Sequence, residues 1–260
     1  MGEAVTQRRA TKERHDALVV LLREGVDSVD TLAERVGVST STVRRDLTQL
    51  QRAGRIARTY GGAMVRADFQ ERSFSESSVI DQQSKAAIAV AAAELLPANA
   101  TTFLDAGTTC LALARLFAER GPLKVATRGL EAAALLTRVP NVDVVMLGGQ
   151  VQPLSHGVIG PMAALMLDRM SFDVAFLSAD AIDPTKGLGE PTTEEIYVKE
   201  KATERAAQVV LLADASKLAP AEVPAWLPLD PAWTLVTDSA SDESTVAAFE
   251  QRGLRVLIAG

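Results

Sequence analysis

The sequence predicts two folds in one chain: a small α+β head and, behind it, an α/β domain built on a largely parallel sheet. Three observations predict this. Amphipathic helical segments near the N-terminus lead into a Gly-Gly turn between two short runs, whereas beyond about residue 84 short apolar runs alternate with helical segments. Charge divides the same way: residues 1–66 hold 12 Lys and Arg against 8 Asp and Glu, and residues 67–260 hold 15 against 25. With 47% hydrophobic residues over 260 positions, the chain can bury a substantial core.

The head follows element by element. A first helix over about Thr11 to Glu24 carries Leu18, Leu21 and Leu22. Ser28 is placed to cap a second helix from Val29 to Val36, with Leu32 and Val36 inward and Gly37 closing it. Ser39 opens a third helix whose Val43, Leu47 and Leu50 form one stripe at i, i+4, i+7 spacing, ended by Gly54. At about 100° per residue, Ser41, Arg45 and Thr48 point away from that stripe, with Arg44 and Gln49 at its flanks. Arg55 to Val65, with Ile56, Arg58, Tyr60 and the pair Gly61-Gly62, reads as two short strands around a turn.

Helix, tight turn, helix and hairpin make a winged helix-turn-helix, and the third helix has the composition of a DNA-recognition helix. Ser39, Ser41, Thr42, Arg44, Arg45, Thr48 and Gln49 are the candidate contacts to base edges and phosphates. Arg58 on the wing would meet a phosphate or the minor groove. A basic head on an acidic body suits a protein that touches double-stranded DNA through one small domain. One head reads few base pairs, so a homo-oligomer with paired heads is expected.

Composition excludes other classes. No apolar run approaches the roughly 20 residues of a membrane span, and the N-terminus is polar rather than signal-like, so the expectation is a cytoplasmic protein without a membrane partner. A single cysteine, Cys110, excludes an intramolecular disulfide framework and a cysteine-based zinc site. No cofactor and no metal site are expected.

Residues 67–83 are polar and serine-rich and read as a linker between the domains 1–66 and 84–260. A helix from Lys85 to Leu96 follows, terminated by Pro97. Strand-like runs then stand at Thr102 to Leu104, Lys124 to Ala126, Val142 to Leu147, Val174 to Ser178, Val209 to Ala213, Thr234 to Thr237 and Arg255 to Ile258. In such a sheet a ligand lies beyond the carboxyl ends of the strands. Those positions hold Asp105-Ala106-Gly107-Thr108-Thr109, Thr127-Arg128-Gly129, Gly148-Gly149, Asp180 with Asp183, and Asp214 with Lys217. Gly107 allows a tight turn and the next helix start presents free amides to an anion. Glu194, Glu195, Lys199 and the turn Ser155-His156-Gly157 could reach the same crevice. Singly, each residue has an ordinary role as cap, turn or solvated surface; their convergence makes them candidates.

Residues 8–65 resemble the N-terminal domain of the DeoR family of bacterial transcriptional regulators, through Leu32-Ala33, the run from Val38 to Leu47, Leu50, Gly54, Arg58 and Gly61-Gly62-Ala63. Tyr60 stands where the family usually has His. Residues 84–238 resemble the family's C-terminal effector domain, with D-A-G-T-T, G-G and D-A-S-K in order. The resemblance implies a repressor of a carbohydrate-metabolism operon whose sensor domain is similar to ribose-5-phosphate isomerase and holds the phosphate of a sugar-phosphate effector near Asp105 to Thr109. It also implies that Lys85, Asp180, Glu195, Lys199, Asp214 and Lys217 surround the ligand or support its loops. Arg128-Gly129 departs from the family's Asn-Ser, and Ser178 and Ala181 replace glycines around Asp180. The added Arg128 guanidinium offers a second clamp for phosphate or carboxylate, or equally folds outward onto Glu131 or solvent.

Asp180, Asp183 and Lys186 also resemble the acidic and basic residues of the isomerase itself, which raises the alternative of a sugar-phosphate isomerase. The glycine-rich run that follows Lys186 in that enzyme is missing, and a recognition helix would have no purpose there, so binding without turnover is the expectation. A regulator that answers to a protein partner is a further alternative.

Overall fold

A computed structural model describes residues 14–15, 17–18, 20–22, 26, 28–52, 57–59, 62–64 and 71–260, in two compact units, Met1–Gln70 and Glu71–Gly260. Gly54, Arg55, Ile56, Tyr60, Gly61 and the segment 65–70 lie outside the described residues, as do parts of the first helix.

In the first unit, helical residues between 14 and 22 precede α1 (Val29–Val36) and α2 (Thr40–Arg52). Leu18, Leu22, Leu32, Ala33, Val43, Leu47 and Leu50 form the core, as the periodicity required. Gly37 takes a left-handed conformation with φ 67°, and its N–H and that of Val38 both donate to the Ala33 carbonyl, closing α1. Ser39 caps α2, its hydroxyl accepting the Thr42 N–H at 3.2 Å. Ser28 departs from expectation: it stands at the N-cap of α1, but its exposed side chain makes no capping hydrogen bond. β1 (Ala57–Thr59) and β2 (Gly62–Met64) pair antiparallel, with Arg58 opposite Ala63, which is the expected wing.

Asp46 ties this unit together from inside α2. It is buried, and its carboxylate accepts from Arg14 Nε at 2.6 Å and pairs with His15 Nε2 at 3.1 Å. Burial works against its charge, but Arg14 and His15 outweigh that and hold its pKa below the usual range. Asp46 therefore stabilises the head above the unfolded carboxylate value of about 3.9, and the contribution is lost as pH falls through the lower folded value. Asp46→Ala is expected to cost about 1 to 3 kcal/mol in urea denaturation, toward the lower figure because Arg14 and His15 keep contact with water.

The second unit opens with α3 (Phe74–Ser78) and α4 (Gln82–Ala93). Thus a short helix with a Ser73–Glu76 capping box lies within the segment that composition assigns to a linker. Alternation then follows: β3 (Thr101–Leu104), α5 (Thr108–Leu116), β4 (Leu123–Thr127), α6 (Leu130–Leu136), β5 (Val142–Met146), a hairpin of β6 (Gln150–Val151) and β7 (Val158–Ile159), α7 (Pro161–Leu167) and β8 (Phe172–Ser178). After these come β9 (Ala181–Asp183), β10 (Gly187–Glu190), α8 (Thr193–Glu204), β11 (Ala206–Leu212), β12 (Ala225–Leu227), β13 (Thr234–Asp238), α9 (Glu243–Gln251) and β14 (Arg255–Ala259).

All seven expected runs form one sheet in the order β14-β13-β11-β8-β3-β4-β5, with every pair parallel. Both faces are covered, and the strand residues alternate between two cores. Val174, Phe176, Val210 and Leu212 pack with Ile88, Ala89, Leu113 and Leu136 of α4, α5 and α6. Ala175, Leu177, Val209 and Leu211 pack with Leu167, Val198, Ala202 and Phe249 of α7, α8 and α9. β12, β10 and β9 make a separate antiparallel sheet.

Candidate functional site

The outer face of α2 is the first candidate. Ser39, Ser41, Arg44, Arg45 and Gln49 are exposed and Thr42 and Thr48 half-buried, while Val43, Asp46, Leu47 and Leu50 face the core. The Ser39 hydroxyl lies 2.9 Å from that of Ser41 and 2.8 Å from that of Thr42, and Thr48 Oγ1 donates to the Arg44 carbonyl. The two arginines are therefore carried on a helix fixed by its cap and by a packed opposite face.

Strand order sets the second site. β3 leads through α5 to β4 on one side of the sheet, β8 leads onward to β11 on the other, and β3 and β8 are neighbours. The connections diverge at their carboxyl ends and open a crevice there. Gly107 makes the turn with φ 111°, and a Cβ there would come within 2.8 Å of Ser178 Oγ, so no side chain fits. Ser178 Oγ instead donates to the Ala106 carbonyl at 2.7 Å, fastening β8 to the turn. The start of α5 points its first amides at the crevice.

A cavity of about 80 Å³ occupies this place. Lys85, Gly107, Thr108, Thr109, Arg128, Asp180, Lys199, Asp214 and Lys217, all expected at the site, line it together with Ser155 and Ser178. Glu71, Arg72, Phe74, Ser77, Ile80, Asp81, Glu190 and Ser216 line it as well. Lys217 Nζ donates to Asp180 at 3.0 Å; Lys85 Nζ donates to the carbonyls of Ser77 at 2.6 Å and Ile80 at 2.8 Å. Burial lowers the Lys85 pKa.

The floor is a buried charge cluster. Asp105 accepts from Arg128 Nε, Lys199 Nζ, the Ala106 N–H at 2.7 Å and the Ser178 N–H at 3.2 Å. Lys199 also meets Glu190 at 2.7 Å and donates to the Ser178 carbonyl. Arg128 Nη1 stands 3.7 Å from Glu195 and has no hydrogen-bond partner. Burial opposes the Asp105 charge, yet Arg128 and Lys199 hold its pKa below the usual range. Burial pushes Glu190 up to about 8 despite Lys199. The two cations thus hold the Asp105 carboxylate in its charged form, while burial favours the protonated form of Glu190.

Besides Asp105, four expected site residues do not line the cavity. Thr127 is buried and accepts the Gly129 N–H on its hydroxyl. Glu195 accepts from Ser155 and Thr192 and so anchors the 155–157 turn to α8. Gly148 donates to Met166 Sδ, and Gly149, with φ 153°, lets the backbone pass within reach of the Ile159 carbonyl, where a Cβ would lie 2.2 Å away. Asp183 and Lys186 are also elsewhere: the Asp183 carboxylate closes its own turn through Thr185 and Lys186 N–H groups, and Lys186 Nζ reaches Glu222. The isomerase-like trio is therefore divided, with only Asp180 in the cavity.

The two sites together define a class: a DNA-binding transcriptional regulator with a sensor domain. Residues 14–68 match the DeoR-like helix-turn-helix domain and residues 80–239 match the DeoR C terminal sensor domain. The chain belongs to the DeoR family of transcriptional regulators. Its relatives include the HTH-type transcriptional regulator GlpR of Haloferax volcanii, 33% identical over 88% of this chain and 90% of that protein. Others are the putative aga operon transcriptional repressor of Escherichia coli O157:H7, 28% identical over 96% and 94%, and the transcriptional repressor CsqR of Escherichia coli K12, 34% identical over 78% of each. Among solved structures, ribose 5-phosphate isomerase A from Neisseria gonorrhoeae is similar over 52% of each chain, with a TM-score of 0.39 and 16% identity. These relatives are transcriptional regulators, and so is the family to which the chain belongs. No described helix is long and apolar enough to cross a membrane.

Proposed function

We propose that this protein is a cytoplasmic, homo-oligomeric repressor of a carbohydrate-metabolism operon, and that a phosphorylated sugar bound in the crevice of the second unit modulates its hold on operator DNA. One observation carries the reading: the amide-presenting Gly107–Thr109 turn, Lys85 and Lys217 line a single cavity with Asp180 and Asp214. An anion end beside hydroxyl-binding carboxylates suits a sugar phosphate. In this reading the Thr108 and Thr109 amides and the two lysines take the phosphate, and Asp180 and Asp214 take hydroxyls. Asp105, Arg128 and Lys199 form the floor, and Thr127, Gly148, Gly149 and Glu195 support the surrounding loops. Ser39, Ser41, Thr42, Arg44, Arg45, Thr48, Gln49 and Arg58 read the operator, with two heads on half-sites spaced by helical turns.

A thermal-shift panel of glycerol, ribose, fructose and amino-sugar phosphates tests the effector class. A ligand at 100 times its Kd stabilises the folded state by about 2.7 kcal/mol, so one member should raise Tm by several degrees. A flat response across the panel would count against a sugar-phosphate effector.

A further inference from the structure

The cavity is smaller than the ligand it is proposed to take. At about 80 Å³ it is well below the roughly 300 Å³ at which ligand sites begin, so a wall must move for an effector to enter. The walls at β3, β8 and β11 are central strands bonded to neighbours on both sides. Of the other walls, residues 71–80 contain α3, which has no buried residue. Few contacts hold it. The Phe74 N–H donates to the Leu154 carbonyl at 2.7 Å, the Phe74 ring stacks on His156 with centroids 5.4 Å apart, and Lys85 clasps the Ser77 and Ile80 carbonyls.

Glu71 begins this segment and lines the cavity with one carboxyl oxygen buried and without a hydrogen-bond partner. The carboxylates of Glu195 and Asp180 act on it, together with Arg128 and Lys217. Burial first, and then those two acidic neighbours, push its pKa up to about 7. A half-buried carboxyl group whose buried oxygen has no donor, beside two like-charged neighbours, is seated against its own electrostatics.

We propose that residues 71–80 form a strap over the sensor pocket with Glu71 as its internal plug, so that an anionic effector enters by expelling Glu71 and releasing the strap. The proposal rests on the reading of this cavity as the effector site. Glu71 follows directly on residues 65–70, which join the second unit to the wing strand β2 in sequence, so release of the strap is the step that passes occupancy toward the head.

The test uses the full chain, with ribose 5-phosphate and fructose 6-phosphate as probes, calorimetry for affinity and hydrogen exchange across residues 72–80. Glu71→Ala removes the plug and should tighten probe binding by about 5-fold or more, whereas Glu71→Gln keeps the volume, removes the repulsion and should weaken binding by about 3-fold, because a better-seated plug lowers the open fraction. Probe binding should speed exchange across 72–80 in the wild type, and Glu71→Gln alone should slow it. Weaker binding in both variants would make Glu71 a ligand contact and overturn the proposal, as would unchanged binding and exchange. If neither probe binds any of the three proteins, the sugar-phosphate reading fails for these two sugars. The strap then stands on ligand-free exchange alone, with slowing by Glu71→Gln in its favour and unchanged or faster exchange against it.

Discussion

Arg128→Ala is expected to destabilise the second unit by about 3 to 5 kcal/mol, the cost of leaving a buried charge without its partner. Arg128 is 2% exposed; with Lys199 it holds the buried Asp105 charged, and its Nη1 faces Glu195 at 3.7 Å. Without it the buried Asp105 carboxylate keeps Lys199 as its one cationic partner. The system relieves this by taking up a proton. Asp105, whose depressed pKa depends on Arg128 and Lys199, stabilises the fold above the unfolded value of about 3.9 and loses that contribution as pH falls through its folded value. In Arg128→Ala the loss should begin at higher pH. Urea denaturation at several pH values measures both effects; a variant within about 0.5 kcal/mol of wild type, as for an ordinary surface change, would show that the cluster is not a structural unit.

Arg45→Ala is expected to remove specific operator binding while leaving the head folded. Arg45 is exposed on α2, opposite a core of Val43, Leu47 and Leu50, so its truncation should change stability by no more than about 0.5 kcal/mol. A bidentate arginine–guanine contact is worth about 1 to 3 kcal/mol of discrimination, and a paired assembly loses it twice. Weak, salt-sensitive binding to any DNA should survive through Arg44 and Arg58. Footprinting that is unchanged in Arg45→Ala would remove this residue from the recognition surface.

Much of the fold was legible because two strong signals coincide in it. The central strands β3, β8, β11 and β13 of the large sheet are largely buried on both faces and so read as apolar runs, and α2 declares its cap, core stripe and basic face in a dozen residues. The small sheets of the second unit were not read. β6 and β7 have two residues each, and Gly187-Leu188-Gly189-Glu190 of β10 carries glycines that look like a turn. The same ambiguity hid α3, since serines that mark a linker are also the residues that cap a helix. At the sensor site, the strand-end rule found the residues beside the turns. It missed Glu71 and Glu190, which reach the cavity from outside the main sheet and carry no local signature. Asp46 did carry one: three residues after Val43 and four before Leu50, it lies on the core stripe, where a carboxylate needs a buried partner.

The central claim is that one chain joins operator recognition to sugar-phosphate sensing. A mobility-shift titration of the full protein on DNA upstream of its own gene and its neighbours, with and without the sugar-phosphate panel, tests it most directly. The expected result is a specific shift whose affinity one sugar phosphate changes by a factor corresponding to about 1 to 3 kcal/mol of coupling. A specific shift that no sugar phosphate alters would contradict the sensing half, and no specific shift on any of these fragments would contradict the claim as a whole.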